Sequence, residues 1–407
     1  MHILFFSQYF PPEVHAPASR TYDHCKEWIS RGHKVTVITV APNHPKGKIY
    51  KGYKNKVWQS EVIDGIKVIR VWSLISPNQG LFRRIIGYMT FFPTSIISGI
   101  FVRDVDLIIG TSPQIFSPLA AWIVSFFKRV PWVFEIRDIL SESLKAVNLI
   151  NNNFLLNFLE KFEIFLYKRA DSIVVVTNGF KQTLVDQGIN INKINVVTNG
   201  VNLNKFKVIE KDTNLLNSLD IKDCFVAGYI GTHGLAHGLD TILYAAKDLQ
   251  DKKNIKNIKF LFLGDGANKK SLVNLSRELD LKNTIFLDTV PRDQVHLYWS
   301  ILDVSIIHLR KTKMFNTFIP SKIFECMAMG IPLLHCVGGE SSDIVSSNKI
   351  GRVIEGDNKN LLVSNIFEMS INESEMTGYR KACIESSKKY NRKNLSEKML
   401  NIFEDLL

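Results

Sequence analysis

Residues 316–334 carry side chains whose types and spacing could do chemistry at the start of a helix. Pro320 begins helices through its fixed φ and Ser321 through a capping hydroxyl, and residues 322–329 repeat apolar side chains at helical spacing. The first amides of such a helix lie at its positive end and attract phosphate. Glu325 follows in the next turn, where its carboxylate can accept hydrogen bonds from two neighbouring sugar hydroxyls.

The end of this predicted helix is equally clear. Gly330 is the residue type that ends helices, Pro332 cannot continue one, and Leu333 opens an apolar run of strand character. The alternative interpretation is an ordinary packing helix of an α/β protein with an exposed Glu325. Spacing alone gives the two interpretations about equal weight.

A second candidate phosphate site is the turn at residues 231–238, which is rich in glycine and is called the glycine turn below. An apolar strand is predicted before it, at residues 225–230, and a helix after it, at residues 239–249. Backbone amides in a turn between a strand and a helix can surround a phosphate. Glycines alone are weak evidence, but the order of elements and the second anion site at Pro320 strengthen this prediction.

The segment Pro-Ser-Lys-Ile-Phe-Glu-Cys-Met-Ala-Met-Gly-Ile-Pro at residues 320–332 resembles the donor-binding segment of the family-4 glycosyltransferases, which have the GT-B fold. It is similar to bacterial enzymes that build O-antigen or capsule, including the L-fucosamine (N-acetyl-L-fucosaminyl) transferases. The family pattern has two Glu residues separated by seven positions. Glu325 fits the second, which binds the nucleotide ribose in the family, whereas Thr317 stands at the position of the first, which faces the donor sugar.

The resemblance implies a nucleotide-sugar site in the second half of the chain. In many relatives an Arg and a Lys in the glycine turn neutralise the donor diphosphate. Here His237 lies close to the position of that Lys, and Lys322 is the candidate for the missing cation, because a neutral imidazole donates a hydrogen bond but supplies less charge. Gly264 ends a strand that is a family landmark, and Val290 marks the base-binding edge. The predicted donor-binding residues are Gly231, Thr232, His233, His237, Gly264, Val290, Ser321, Lys322 and Glu325.

The resemblance places the acceptor in the first half of the chain, where polar side chains follow a predicted strand at residues 3–7 and form the charged end of another at residues 132–138. Ligands bind at the carboxyl ends of the strands in doubly wound sheets. The alternative is a set of turn residues, a solvated Arg and an ordinary ion pair. A His that many relatives have near Arg137 is absent. The predicted catalytic residues are Asp138, Arg20 and Glu13, and the predicted acceptor-binding residues are His15 and Arg137.

The composition is that of a globular protein large enough for two domains, with 407 residues, of which 45% are hydrophobic and 22% charged. The five cysteines lack pairing or metal-ligand spacing, which favours a reducing compartment. We recognise no metal-binding carboxylate pair in the sequence, so we expect catalysis without a metal or another cofactor. The net charge of +12 indicates an anionic partner. Nucleic acid is not expected, because basic and aromatic residues do not interleave.

Alternating strands and helices predict two Rossmann-like, doubly wound α/β domains, which in the GT-B fold face a cleft. We predict an acceptor-binding domain at residues 1–204 plus 388–407 and a donor-binding domain at residues 205–387. The final helix carries an apolar stripe and is expected to cross back to the first domain. Residues 41–65 are polar, basic and without period, and are predicted to form a long loop.

An uncharged run at residues 85–102 follows Arg83 and Arg84 and is rich in Ile and Phe. Its length is near the minimum for a membrane-spanning helix, but Gly, Pro, Thr and Ser interrupt it. Two interpretations stay open, an element that docks at a membrane surface and a buried helix of the first domain. Because no signal peptide is recognised, we expect a cytoplasmic protein associated peripherally with the inner face of the cytoplasmic membrane.

The sequence therefore predicts a metal-independent, retaining glycosyltransferase. Its donor is expected to be a UDP-sugar carrying an N-acetylated amino or deoxyamino sugar, and its acceptor a polyprenyl-diphosphate-linked glycan of O-antigen or capsule biosynthesis. One alternative is a nucleotide-sugar epimerase with the GT-B fold. The other is a non-catalytic, membrane-docked assembly subunit, which Thr317 and the missing His suggest.

Overall fold

The computed structural model describes residues 1–13, 16–44, 47–75, 81–146, 152–252, 257–291, 293–312 and 314–407. The predicted acceptor-binding residue His15 lies outside the described residues. The chain divides into two compact units, Met1–Thr198 with Arg392–Leu407, and Asn199–Asn391.

Strands and helices alternate along both units, as the apolar periodicity predicts. The strands are β1 (His2–Phe6), β2 (Lys34–Val40), β3 (Trp58–Ile63), β4 (Ile66–Val71), β5 (Leu107–Thr111), β6 (Trp132–Ile136), β7 (Ser172–Val175), β8 (Ile194–Val196), β9 (Phe225–Ile230), β10 (Ile258–Leu263), β11 (Thr284–Leu287), β12 (Val304–His308), β13 (Leu333–Cys336) and β14 (Gly351–Val353). The helices are α1 (Ala16–Ser30), α2 (Leu81–Phe101), α3 (Phe116–Lys128), α4 (Leu140–Ala146), α5 (Asn153–Arg169), α6 (Asn178–Asp186), α7 (Thr213–Ser218), α8 (Leu239–Gln250), α9 (Lys269–Glu278), α10 (Val295–Ser300), α11 (Lys322–Met329), α12 (Glu340–Ser347), α13 (Lys359–Ile371), α14 (Glu373–Ser387) and α15 (Arg392–Glu404).

The first unit is built on a sheet with the strand order β3-β4-β2-β1-β5-β6-β7-β8. The pairs are parallel except that β3 runs antiparallel to β4. β1 pairs with β2 on one side and with β5 on the other, so the order of the strands reverses there. The loops after these strands consequently gather at one edge of the sheet, where ligands bind in doubly wound folds.

The predicted long loop at residues 41–65 is wrong in part. Trp58–Ile63 forms β3 and pairs with β4 through a two-residue turn at Asp64 and Gly65. Both turn residues have positive φ angles, 49° and 83°, as a type I′ hairpin turn requires. The strand lies at the sheet edge, where its side chains alternate between exposed and half-buried positions, so no apolar run marks it in the sequence.

The uncharged run at residues 85–102 forms most of α2, whose buried side combines the fully buried Phe91 with glycine and serine. A β-carbon on Gly99 would lie 2.6 Å from the ring of Phe6, so only glycine allows this close approach. Other large apolar side chains lie on the exposed side of the helix. These exposed residues are Ile85, Met89, Ile97, Ile100 and Phe101. Among the described residues, none of the helices has the combination of length and hydropathy that crossing a membrane demands.

The second unit has a parallel sheet with the strand order β11-β10-β9-β12-β13-β14. Separate apolar clusters cover its two faces. β9 pairs with β10 on one side and with β12 on the other. The glycine turn after β9 and the segment leading from β12 to α11 therefore meet at the point where the strand order reverses, which is where such sheets bind nucleotides.

The final helix, α15, returns to the first unit, as predicted. The indole Nε1 of Trp28 in α1 donates to the carbonyl oxygen of Ser396 at 3.1 Å, and Nδ1 of His24 lies 2.6 Å from Ser396 Oγ. The ring of Phe403 meets the Trp28 ring edge to face with centroids 5.3 Å apart. These contacts make α15 part of the first hydrophobic core.

Replacing Phe403 with Ala is expected to destabilise the first unit by about 3–5 kcal/mol, because the side chain is fully buried and its loss leaves a cavity. Hydrogen exchange read by mass spectrometry should show faster exchange in α1 and β1, with unchanged exchange in Asn199–Asn391. The exposed Leu407→Ala change is the control and should alter neither unit. Faster exchange confined to the second unit would contradict the assignment of α15.

Candidate active site

The glycine turn touches a second tight turn in the second unit, at Gly264 and Gly266. A β-carbon on Gly264 would lie 1.9 Å from the carbonyl oxygen of Gly231, and one on Gly266 would lie 2.5 Å from that of His233. Both distances are far inside van der Waals contact, so only glycine fits at either position. The amide of His233 also donates to the carbonyl oxygen of Asp265 at 2.9 Å. The two turns therefore form one rigid backbone surface.

Lys322 brings a positive charge to this surface. Its Nζ lies 3.7 Å from the centroid of the Tyr229 ring and 2.9 Å from the place that a β-carbon on Gly231 would occupy. Lys322 makes no hydrogen bond or ion pair with the described residues. Burial lowers the pKa of its ammonium group to about 8, although the nearby Glu325 carboxylate opposes the shift. A bound anion would compensate this charge.

The two histidines of the glycine turn have ring nitrogens without hydrogen-bond partners among the described residues. His233 is fully buried beside the rings of Tyr229, Phe262 and Phe286, and both of its ring nitrogens lack a partner. His237 is partly exposed, and only its Nδ1 is both buried and unpaired. Burial lowers the pKa of each imidazole to about 4. Both are neutral near pH 7 and can offer hydrogen bonds but no charge.

A buried histidine that the sequence analysis did not select holds the glycine turn in place. His308, at the end of β12, has Nδ1 at 2.8 Å from the carbonyl oxygen of His237 and Nε2 at 3.0 Å from the backbone nitrogen of Asp357. Because the Asp357 amide can only donate, Nε2 of His308 accepts that hydrogen bond. Nδ1 therefore carries the ring proton and donates to the carbonyl oxygen of His237. His237 and His308 are 71 positions apart, so no local pattern could reveal the contact.

The helix α11 spans Lys322–Met329 and ends at Gly330 with φ 69°, as predicted. Its start differs from the prediction, because Ser321 has helical dihedral angles and its hydroxyl makes no capping hydrogen bond. The amide of Ile323 bonds back to the carbonyl oxygen of Pro320 at 3.1 Å instead. In this tightened first turn the backbone pairs the Ile323 amide, which would otherwise need an acceptor such as a capping hydroxyl.

Glu325 lies in the first turn of α11, close to Lys322. The fully buried Trp299 in α10 donates from Nε1 to Oε2 of Glu325 at 3.2 Å. This bond fixes the orientation of a carboxylate that is otherwise partly exposed. Thr317, at the position of the first family Glu, lies in a short 3-10 helix, Met314–Thr317.

The structure brings most, but not all, of the predicted donor residues together. Gly231, Gly264 and Lys322 surround one backbone surface, with His233 buried beneath it. Thr232 is exposed, and its carbonyl oxygen accepts the Tyr229 hydroxyl at 2.9 Å. Val290 follows β11 at the far edge of the sheet and packs, partly buried, against the apolar core.

In the first unit, Arg20 and Glu135 form a buried ion pair with Nε and Oε1 2.9 Å apart. Arg20 also donates to the carbonyl oxygens of Thr198 at 2.7 Å and Val197 at 3.0 Å. Although burial raises the pKa of Glu135, the guanidinium groups of Arg20 and Arg137 hold it below its ordinary value. Arg20 is thus bound by protein groups on three of its nitrogens.

Glu13 is buried and accepts three backbone hydrogen bonds. Its Oε1 accepts from the amides of Asn43 at 2.9 Å and His44 at 2.8 Å, and its Oε2 accepts from the amide of Phe10 at 3.3 Å. Glu13 therefore joins the loop after β1 to the loop after β2.

Arg137 and Asp138 follow β6 but do not pair with each other, so the alternative of an ordinary ion pair between them is wrong. Arg137 donates from Nη1 to the carbonyl oxygen of Pro17 at 3.1 Å, and Asp138 accepts from the Ser143 hydroxyl through Oδ1. Ser112 Oγ accepts hydrogen bonds from the backbone amides of Arg137, at 2.8 Å, and Asp138, at 3.2 Å, and so fixes the backbone of both residues. Burial raises the pKa of Asp138 to about 6.

Two family models match the chain in succession. The model described as a glycosyl transferase 4-like domain matches residues 16–200, and the model described as glycosyl transferases group 1 matches residues 212–390. Together they cover nearly the whole chain. This protein belongs to the family-4 glycosyltransferases. It is an enzyme of the GT-B fold that uses a nucleotide-sugar donor.

Solved glycosyltransferase structures share this fold over the full chain. HepE from Anabaena, in complex with UDP-glucose, has a TM-score of 0.74 at 17% identity and covers 100% of both chains. Sucrose-phosphate synthase from Thermosynechococcus elongatus has a TM-score of 0.73 at 14% identity, covering 100% of this chain and 98% of its own. WaaG, a glycosyltransferase involved in lipopolysaccharide biosynthesis, has a TM-score of 0.70 at 11% identity, covering 98% of this chain and 99% of its own. No curated protein sequence matches this chain.

In this glycosyltransferase the three predicted catalytic residues differ in access to solvent. Glu13 and Arg20 are each 2% exposed, whereas Asp138 is partly exposed at the carboxyl edge of the sheet. Over the described residues, His, Cys, Asp and Glu form no group of three that could hold a metal ion. Of the three predicted catalytic residues, Asp138 is the one that solvent reaches.

Replacing Asp138 with Asn is expected to raise the free energy of unfolding by roughly 1–2 kcal/mol at pH 8, because the folded state disfavours the charged carboxylate. The raised pKa means that this penalty is present above about pH 6 and disappears below the ordinary value near 3.8. The gain should therefore be much smaller at pH 4 than at pH 8. Urea unfolding at both pH values measures it, with the exposed Asp405→Asn change as the control. An equal gain at pH 4 would show that charge is not the cause.

Proposed function

We propose that this glycosyltransferase moves an N-acetylated amino or deoxyamino sugar from a UDP-sugar to a polyprenyl-diphosphate-linked glycan of O-antigen or capsule biosynthesis. The reaction proceeds with retention of anomeric configuration and without a metal. The observation that carries the proposal is the charge of Lys322, which no described carboxylate pairs with and which lies beside Gly231. The resemblance of residues 320–332 to O-antigen and capsule enzymes supports the biosynthetic role, and N-acetyl-L-fucosamine is the first sugar to test.

The donor diphosphate lies between Gly231 and Lys322 in the proposed complex. A cation that burial has already desolvated gains more from an anion than an exposed one, because little water screens the pair. His237 adds a neutral hydrogen-bonding group. Charge that develops on the departing diphosphate then meets groups that are already in position, which is the most effective form of electrostatic catalysis.

The nucleotide ribose binds at Glu325 in this proposal. Trp299 holds one carboxylate oxygen, so the side chain is oriented before the nucleotide arrives and little conformational freedom is lost on binding. The carboxylate has capacity to accept the two ribose hydroxyls as well. Uridine is proposed as the base because HepE, which shares the fold, was solved in complexes with UDP and UDP-glucose.

A lipid-linked acceptor is supported by apolar side chains exposed on three neighbouring helices of the first unit. α2 packs against α3, and Trp122 of α3 meets Phe165 of α5 edge to face with centroids 5.3 Å apart. Exposed apolar residues on these helices include Phe101, Phe126, Phe127, Phe154 and Phe158. Exposed basic residues on α5 lie beside them, at Lys161, Lys168 and Arg169. Aromatic and basic side chains together suit the interface of an anionic membrane.

The proposal is tested first by a thermal-shift screen of uridine, guanosine and thymidine diphosphate sugars, because a ligand that binds the folded state raises its melting temperature. The best donor is then incubated with and without a polyprenyl-diphosphate-linked acceptor. Transfer to the acceptor supports the proposal. A new sugar nucleotide formed from the donor alone would identify an epimerase, and binding without any turnover would identify a non-catalytic subunit.

Replacing Glu325 with Ala is expected to lower kcat/KM for transfer roughly 100-fold or more, because two charge-assisted hydrogen bonds to the ribose are lost. Glu325→Gln keeps an oxygen for the Trp299 indole and should lose less, about tenfold, while melting like the wild type. The exposed Glu385→Gln change, also in the second unit, is the matched control. Wild-type activity of Glu325→Ala would remove the ribose assignment.

The affinity for UDP is expected to fall roughly tenfold as the pH rises from 7 to 9.5, because Lys322 loses its proton around pH 8 in the free enzyme. Lowering the pH from 8 to 7 should strengthen binding only slightly, since the ammonium group is then mostly charged. Isothermal titration measures both changes.

In Lys322→Met, the UDP affinity at pH 7 should be roughly tenfold lower and nearly independent of pH between 7 and 9.5. Lys222→Met removes the same charge from an exposed position of the second unit and should keep the wild-type pH profile. A wild-type profile in Lys322→Met would show that another group holds the diphosphate.

A further inference from the structure

A polar pocket lies in the first unit at the carboxyl ends of β1, β2 and β4 and is closed on one side by the start of α2. Its enclosed space is ≈ 100 Å³, so it has room for one small polar group and opens to solvent at its mouth. We propose that this pocket binds the terminal sugar of the lipid-linked acceptor through Gln8 and the acceptor diphosphate through Arg83. The inference rests on the proposed function and adds a site to it, because none of the predicted acceptor residues lines this pocket.

Gln8 gives the pocket an unused hydrogen-bond acceptor. The residue is 8% exposed, and its Oε1 is buried and has no hydrogen-bond partner among the described residues. A buried carbonyl oxygen without a partner destabilises the protein unless a ligand supplies a donor. A sugar hydroxyl or an N-acetyl amide is a donor of the right size. Gln8 lines the pocket, so a rotation of its side chain is enough to present this oxygen to a ligand there.

Aromatic side chains form the wall beside Gln8. The hydroxyls of Tyr9 and Tyr88 lie 3.2 Å apart, and the His44 ring meets the Tyr9 ring edge to face with centroids 5.6 Å apart. Rings with polar tips suit a sugar, which presents C–H groups on its faces and hydroxyls around its rim. Glu13 fixes this wall, because its carboxylate accepts from the backbone of His44.

Arg83 lies at the mouth of the pocket and is exposed, without a hydrogen bond or ion pair to the described residues. A guanidinium group binds phosphate through paired N–H donors. Beyond Arg83, α2 exposes large apolar side chains at Ile85, Met89, Ile97 and Phe101, with Pro93 between the second and the third. This ridge is about 24 Å long at 1.5 Å per residue.

The order of chemistry along the first unit is therefore an unused acceptor, aromatic rings, a guanidinium group and an apolar ridge. A polyprenyl-diphosphate-linked sugar has the matching order of polar sugar, diphosphate and hydrocarbon. A nucleotide or a free sugar would leave the ridge unused, and a plain lipid phosphate would leave Gln8 unpaired. The match of all parts selects the amphiphilic acceptor.

The test uses the full-length enzyme and two water-soluble probes, citronellyl diphosphate with and without a linked N-acetylglucosamine. Isothermal titration measures the affinity for each probe, and the thermal shift with UDP reports separately on the second unit. In Gln8→Met, the affinity for the sugar-bearing probe should fall at least fivefold, towards that for the sugar-free probe. The affinity for the sugar-free probe should not change. Arg83→Met should weaken both probes roughly tenfold. Arg103→Met, an exposed change of equal charge, should alter neither.

The melting temperature separates binding from folding. Gln8→Met removes a buried oxygen without a partner, so the variant should melt at or above the wild-type temperature. Wild-type affinity of both Gln8→Met and Arg83→Met for the sugar-bearing probe would overturn the proposal. So would a wild-type enzyme that UDP stabilises but that binds neither probe. A wild-type enzyme that binds the probes but not UDP would instead overturn the proposed donor.

Discussion

The ammonium group of Lys322 forms no ion pair with a described carboxylate, and the arrangement of the candidate donor site follows from that charge. The ring of Tyr229 lies beneath the charge, and its hydroxyl is bound to the carbonyl oxygen of Thr232. The neighbouring imidazoles of His233 and His237 are neutral, so they do not repel the cation. The position is held by a backbone that only Gly264 permits. A desolvated positive charge is destabilising in the free protein, and an anionic ligand relieves it.

The carboxylates of the first unit follow a different logic, because protein groups already satisfy most of them. Glu13 accepts from three amides and Glu135 from Arg20, so both strengthen the framework of the sheet edge. Fixed loops are a condition for binding a flexible substrate without a large entropic loss. Among the described residues, the groups that remain open at this edge include the partly exposed Asp138 and the buried, unpaired oxygens Gln8 Oε1 and Glu135 Oε2. A rigid edge with few unsatisfied groups is selective, since each such group must find its own partner on the ligand.

Residues that begin and end helices, together with regular apolar spacing, explain what could be predicted from the sequence. The helix α11 was predicted residue by residue, because Pro320 and Gly330 mark its ends and its apolar spacing is regular. The hairpin strand β3 was not predicted, because its half-exposed side chains form no apolar run. The Asp-Gly pair at residues 64–65, which is typical of a hairpin turn, was the local signal for it.

The rest of the candidate site depends on contacts between residues far apart in the chain. The link between His308 and His237 is one example, and the pocket shared by Gln8 and Tyr88 is another. Their residue types are ordinary in isolation, so only the fold gives them a role. The predicted capping role of Ser321 was wrong for a related reason. The backbone amide of Ile323 bonds to the carbonyl oxygen of Pro320 instead, and the preference of serine for helix starts could not predict which of the two groups would accept that bond.

The helix α2 shows that only part of an apolar run has to belong to the core. Its inward side uses Phe91, glycine and serine, and the close approach of Gly99 to Phe6 would be lost with any larger residue. The large side chains of Met89, Ile97 and Phe101 are exposed, and in water such residues favour aggregation. The net charge of +12 offsets that liability by keeping molecules apart and directs the protein towards anionic surfaces. Exposed apolar side chains and positive charge together are the features that the proposed lipid-diphosphate acceptor requires, because that ligand is both apolar and anionic.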